Sequence, residues 1–144
     1  MSDRDMLTFP PDGSVLRKVR AKVRDMAGRL GAEPNVCDNL ALVVDELVNN
    51  AIEHGASYRK AGLDLGVRIE AVGERLVIEF FDPEMPEDQI RELAAALAET
   101  ASGAPSLESE RGRGLFLLSV YLEGLAAEVA SQGGLRLVGN VLCK

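Results

Sequence analysis

The stretch Asp45-Glu46-Leu47-Val48-Asn49-Asn50-Ala51-Ile52-Glu53-His54-Gly55 decides how this chain is read. At about 100° per residue, Val36, Leu40, Val44, Leu47, Val48 and Ala51 share one broad apolar face. The segment from Glu33-Pro34 to about His54 is therefore expected to be an amphipathic helix, with proline in its first turn and Gly55 as its stop. Glu46, Asn49, Asn50 and Glu53 fall roughly opposite, with Asn39 about two turns back. Glu46 and Asn50, at i and i+4, project side by side. A carboxylate takes a proton and a carboxamide oxygen is a hard ligand for Mg²⁺, so the pair suits phosphoryl transfer. It equally suits a solvated polar face, and the spacing alone does not choose.

Working outward, Leu7-Thr8-Phe9 and the breaker Pro10-Pro11-Asp12-Gly13 precede a first helix, expected from a Ser14 cap to about Leu30 and ended by Gly31. Its apolar stripe is Val15, Val19, Val23, Met26 and Leu30. Beyond Gly55, Leu63 to Ala71 and Leu76 to Phe81 read as a hairpin around Val72-Gly73-Glu74-Arg75. Pro86-Glu87-Asp88 opens a third helix with Ile90, Leu93 and Leu97 at helical spacing. Residues 100–111 are small and polar, and read as a lid-like loop. A fourth helix from Leu115 to about Glu123 and runs at 125–130 and 135–142 close the chain. This order predicts a two-layer α/β sandwich with a mixed, mainly antiparallel sheet, forming one domain over residues 1–144.

Two further elements carry chemistry. Arg111-Gly112-Arg113-Gly114-Leu115 leads into the fourth helix; glycines let backbone N–H groups approach phosphate oxygens, and the arginines add cationic donors. The alternative is glycine needed only for its dihedrals. Asp82 ends an apolar strand, where its carboxylate could accept from an adenine amino group or simply sit in a turn before Pro83.

Composition narrows the field. The formal net charge of -7 argues against direct nucleic-acid binding and against an anionic membrane surface. The single histidine, His54, excludes the usual zinc clusters and leaves one possible base for a triad. Cys37 and Cys143 lie far apart and read as reduced thiols. No apolar run approaches the ~20 residues of a membrane span. Neither a secretory signal nor a lipidation motif is expected in MSDRDMLTFPPDG, which favours the cytoplasm.

The three elements follow the order and spacing of the GHKL ATPases. Within that group, Glu46-Leu-Val-Asn-Asn50-Ala-Ile-Glu-His54-Gly resembles the N-box of the RsbW and SpoIIAB type of anti-sigma factor and serine kinase, and Gly112-Arg-Gly-Leu-Phe-Leu-Leu118 resembles its second glycine box. The resemblance implies a Bergerat fold that binds ATP and Mg²⁺. It makes Glu46 the general base, Asn50 the Mg²⁺ ligand and Asp82 the adenine contact. Arg111, Gly112, Arg113, Gly114 and Leu115 go to the nucleotide, under a lid of about 100–112. It further implies a sigma factor or equivalent output protein as one partner, a STAS-domain antagonist phosphorylated on serine as another, and a homodimer. His54 belongs to the same motif and either caps or packs. The sequence departs from the family at the first glycine box, where Asp82 is followed by Pro83-Glu84-Met85-Pro86 without glycine. That departure keeps open a second reading, a binding module that transfers no phosphate. A chaperone- or repair-type clamp is disfavoured because it needs transducer domains.

Overall fold

The computed structural model describes residues 6–101 and 110–144, with no side-chain description for 101 and 110–113. Its elements are β1 (Leu7–Phe9), α1 (Leu16–Arg29), α2 (Pro34–Gly55), β2 (Leu65–Val72), β3 (Arg75–Asp82), α3 (Glu87–Ala101), α4 (Glu110–Tyr121), β4 (Glu123–Val129) and β5 (Leu135–Leu142). The sheet runs β1-β2-β3-β5-β4 and every ladder in it is antiparallel. Helices cover one face, giving the two-layer α/β sandwich expected.

Strand alternation sorts the sheet into a dry side and a wet side. Val67, Phe80 and Leu137 stand in register across β2, β3 and β5 and are buried, as are Ile69 and Ile78. The opposite face carries charge. Glu79, itself buried, accepts from Arg68 Nε at 2.7 Å and Arg136 Nε at 2.7 Å across three strands. Burial pushes the Glu79 carboxyl up, but the two arginines outweigh it and hold it below its usual range.

The apolar face of α2 is buried as its periodicity predicts, with Val36, Leu40, Val44, Leu47, Val48 and Ala51 all in the core. Helix α1 packs along it through Val19, Val23 and Ala27, and polar clamps Arg20–Asp45 (2.7 Å) and Arg24–Asp38 (3.2 Å) flank the contact. Ser14 is not the cap: Asp12 Oδ1 accepts from the Ser14 amide at 3.0 Å and starts a 3-10 turn, Gly13–Val15, from which α1 continues at Leu16. The β2–β3 turn falls where expected, opened by Gly73 at φ 61°.

The largest difference from the sequence reading lies in α4. It begins at Glu110 rather than Leu115, so Arg111-Gly112-Arg113-Gly114 forms helix and not a preceding loop. It also ends earlier, at Tyr121, and β4 starts at Glu123. Helix α3 runs to Ala101, and the rest of the expected lid, 102–109, lies outside the described residues.

Candidate functional site

Two of the three chemical elements meet at the crossing of α2 and α4. Asn50 Nδ2 donates to Glu46 Oε2 at 3.1 Å, confirming that the i, i+4 pair shares one side of α2. The rest of the polar stripe divides: Asn49 and Glu53 are exposed, while Glu46 and Asn50 are half-buried beneath α4. Gly114 is the point of contact. A Cβ there would overlap Glu46 Oε2 and lie 3.5 Å from Asn50 Nδ2, so this glycine answers to close approach. It is not among the glycines with positive φ. Leu115 follows it, buried. The side chains of Arg111 and Arg113 lie outside the described residues, so their placement toward a phosphate is not seen.

Next to this pair is a small cavity of about 30 Å³, lined by residues including Asn50, Ala51, His54, Leu93, Leu115 and Leu137. His54 thus faces the interior between α2 and α4 instead of capping alone. The volume is about that of one water in the liquid, against several hundred Å³ for a typical ligand pocket. α4 packs on α2, and α3 reaches the cavity through Leu93.

Asp82 sits at the other end of the site, 0% exposed at the end of the apolar β3 face. A carboxylate so placed requires donors, and the sequence supplies them from the segment after α2. Tyr58 Oη donates to Oδ2 at 2.6 Å; Arg59 Nη1 donates to Oδ1 at 3.0 Å and Nη2 to Oδ2 at 2.8 Å. Burial, then the hydrogen bond and charge of Asp82, push the Tyr58 phenol up, which keeps it a donor. The hydrogen bond to Asp82 pushes Arg59 up as well, against burial. Gly55 is the last residue of α2 and does not turn into the left-handed conformation of a glycine stop; Ala56 is the cap, and the space the missing Gly55 side chain leaves is filled by the Arg59 guanidinium.

Glu84, the residue that departs from the glycine box, ties the same segment down. It accepts from the amides of Lys60 (2.9 Å), Ala61 (2.8 Å) and Leu63 (3.0 Å). Donation from Ala61 and Lys60 above all holds its carboxyl well down, at about 2. In the sequence this glutamate stands out only as part of the departure from the glycine box, and Tyr58 and Arg59 do not stand out. Their signal was present: a buried strand-end aspartate needs a cationic partner, and Arg59 is the first arginine after the helix.

A sequence profile of the histidine kinase-like ATPase domain matches residues 9–142. No curated protein matches the chain in sequence. In structure it is similar to a chain of the SiaB–SiaC complex from Pseudomonas aeruginosa, at TM-score 0.71 and 18% identity, covering 96% of this chain and 91% of that one. The fold is thus shared, and family membership implies an ATP site. With the profile spanning β1 to β5 and the Glu46–Asn50 pair on its central helix, the chain belongs to the histidine kinase-like ATPase domain family.

Proposed function

We propose that this protein is an ATP-dependent partner-switching regulator: an anti-sigma factor and serine kinase that uses Mg·ATP to phosphorylate a serine on a small STAS-domain antagonist. Phosphorylation then controls whether it holds the antagonist or a sigma factor or equivalent output protein. It works in the cytoplasm as a homodimer. Among the described residues no helix is long and apolar enough to cross a membrane, in keeping with that setting.

The observation that carries the proposal is the hydrogen-bonded Glu46–Asn50 pair under Gly114. Mg·ATP, when bound, supplies the γ-phosphoryl group and the cationic charge that offsets the phosphates. Asn50, its amide nitrogen engaged by Glu46, offers Oδ1 as a hard oxygen ligand. Glu46 accepts the proton of the attacking serine hydroxyl. Gly114 brings the α4 backbone against the Glu46 carboxylate and near Asn50, which holds α4 beside the pair. Glu46 and Asn50 are the residues that support the phosphate end of this reading. At the adenine end, Asp82 is already engaged by Tyr58 and Arg59. A regulatory partner is supported by the similar structure, which is that of a two-protein complex.

The small cavity and the engaged Asp82 favour a second reading, a binding module that occupies partners without transferring phosphate. The test is transfer of labelled γ-phosphate to a STAS-domain protein from the same genome. The kinase reading expects labelled serine with wild type and at least a hundredfold less with Glu46→Gln. A stable complex with the partner but no label, at saturating Mg·ATP, would leave the binding module.

A further inference from the structure

The carboxylate that would receive adenine has no lone pair to spare. Asp82 Oδ1 accepts from Arg59 Nη1 and, at 3.2 Å, from the Glu84 amide; Oδ2 accepts from Arg59 Nη2 and Tyr58 Oη. Four donors saturate a carboxylate. The fork of Arg59 is fixed in turn: Nη2 also donates to the Ala51 carbonyl of α2 at 3.1 Å, and the guanidinium lies 5.2 Å from the Tyr58 ring centroid. Gly55 leaves the room for it. Glu84 then binds the following backbone at Lys60, Ala61 and Leu63, and reaches Arg59 Nη1 at 3.5 Å. Strand end, helix end and the segment between them are closed into one knot by four side chains, Asp82, Tyr58, Arg59 and Glu84.

We propose that Arg59 is an internal competitor for adenine, a latch that Glu84 holds shut and that must leave Asp82 before a nucleotide base can bind. The inference rests on the nucleotide reading given above and states how that site is gated. A guanidinium N–H and the exocyclic amino N–H of adenine both donate to a carboxylate, so they compete for the same oxygens. Adenine is neutral, however, and the exchange gives up the charge pairing of buried Asp82, which also holds the latch shut. The closed state is imperfect in one respect. Arg59 Nε is buried without a hydrogen-bond partner among the described residues, a cost removed when the side chain swings into water. The latch belongs to the adenine end alone; Glu46, Asn50 and Gly114 take no part in it.

Calorimetric titration of wild type, Arg59→Ala and Glu84→Gln with Mg·ATP, and separately with Mg·tripolyphosphate, tests it. Removing the competitor is expected to tighten ATP at least tenfold in Arg59→Ala, with Glu84→Gln moving the same way by a smaller factor. Tripolyphosphate, which carries no base, is expected to bind all three alike. If wild type binds ATP and neither variant binds it more tightly, the latch is wrong while the nucleotide reading stands. If tripolyphosphate affinity rises in step with ATP, Arg59 acts on the whole site and the latch is again overturned. If none of the proteins binds ATP, the nucleotide reading fails and the latch with it. Should Arg59→Ala not fold, as judged by circular dichroism, Glu84→Gln decides alone, and equality with wild type overturns the proposal.

Discussion

Gly114 of α4 lies so close to Glu46 of α2 that a Cβ at position 114 would overlap the carboxylate oxygen Oε2. Gly114→Ala is therefore expected to push Glu46 out of line while sparing the core. Displacing a catalytic group by about 1 Å can cost on the order of a hundredfold in rate. Serine phosphorylation should fall by that order with an unchanged circular dichroism spectrum; full activity would show that the glycine is not needed for the approach.

Glu84 predicts a pH signature. Its folded value, about 2, lies below the ordinary 4.5, so its contribution to stability is complete above about pH 4.5 and is lost as pH falls toward about 2. Urea unfolding of wild type and Glu84→Gln should show a constant gap between about pH 5 and 7, with wild type the more stable. Below about 4.5 the gap should shrink. A gap that ignores pH would mean the amides of Lys60, Ala61 and Leu63 do not depend on the charge.

The β4–β5 turn supports Asp82 from below. Gly134 has φ 81°, and a Cβ on it would lie 2.6 Å from the Asp82 carbonyl oxygen and 2.5 Å from Pro83 Cα. Gly133 has φ 90° but open space around it. Gly133→Ala should cost only the backbone strain, about 1–3 kcal/mol, and Gly134→Ala distinctly more. Thermal melting of the two variants orders them; equal losses would contradict the close packing.

On the open face of the sheet, Glu79→Ala strips two arginines of their shared acceptor and should destabilise by roughly 1–3 kcal/mol in urea. Glu128→Ala, whose side chain is 57% exposed and 3.4 Å from Arg136, should change stability by less than about 0.5 kcal/mol. Equal effects would show that burial of Glu79 confers nothing.

The central helix was legible because its signal is local. Apolar positions from Val36 to Ala51 recur at helical spacing, and the same periodicity places Glu46 beside Asn50. The hairpin and the acidic start of α3 are likewise set by neighbours in sequence. Helix α4 was misjudged at its start because Gly112 and Gly114 lower helix propensity, while the packing of α4 on α2 that overrides it is tertiary. The Arg59–Asp82 clamp stayed hidden for the same reason: its partners are 23 residues apart and one lies outside any regular element. Glu84 shows in the sequence only as a departure from the glycine box, because its oxygens serve backbone amides of a loop whose course the sequence does not reveal.

The most direct test of the account is calorimetric titration of wild type and Asn50→Ala with ATP, each with and without Mg²⁺. Wild type is expected to bind ATP only when Mg²⁺ is present, and Asn50→Ala to lose at least tenfold in that affinity. Binding that is indifferent to Mg²⁺ and unchanged by Asn50→Ala would contradict a metal-triphosphate site on α2.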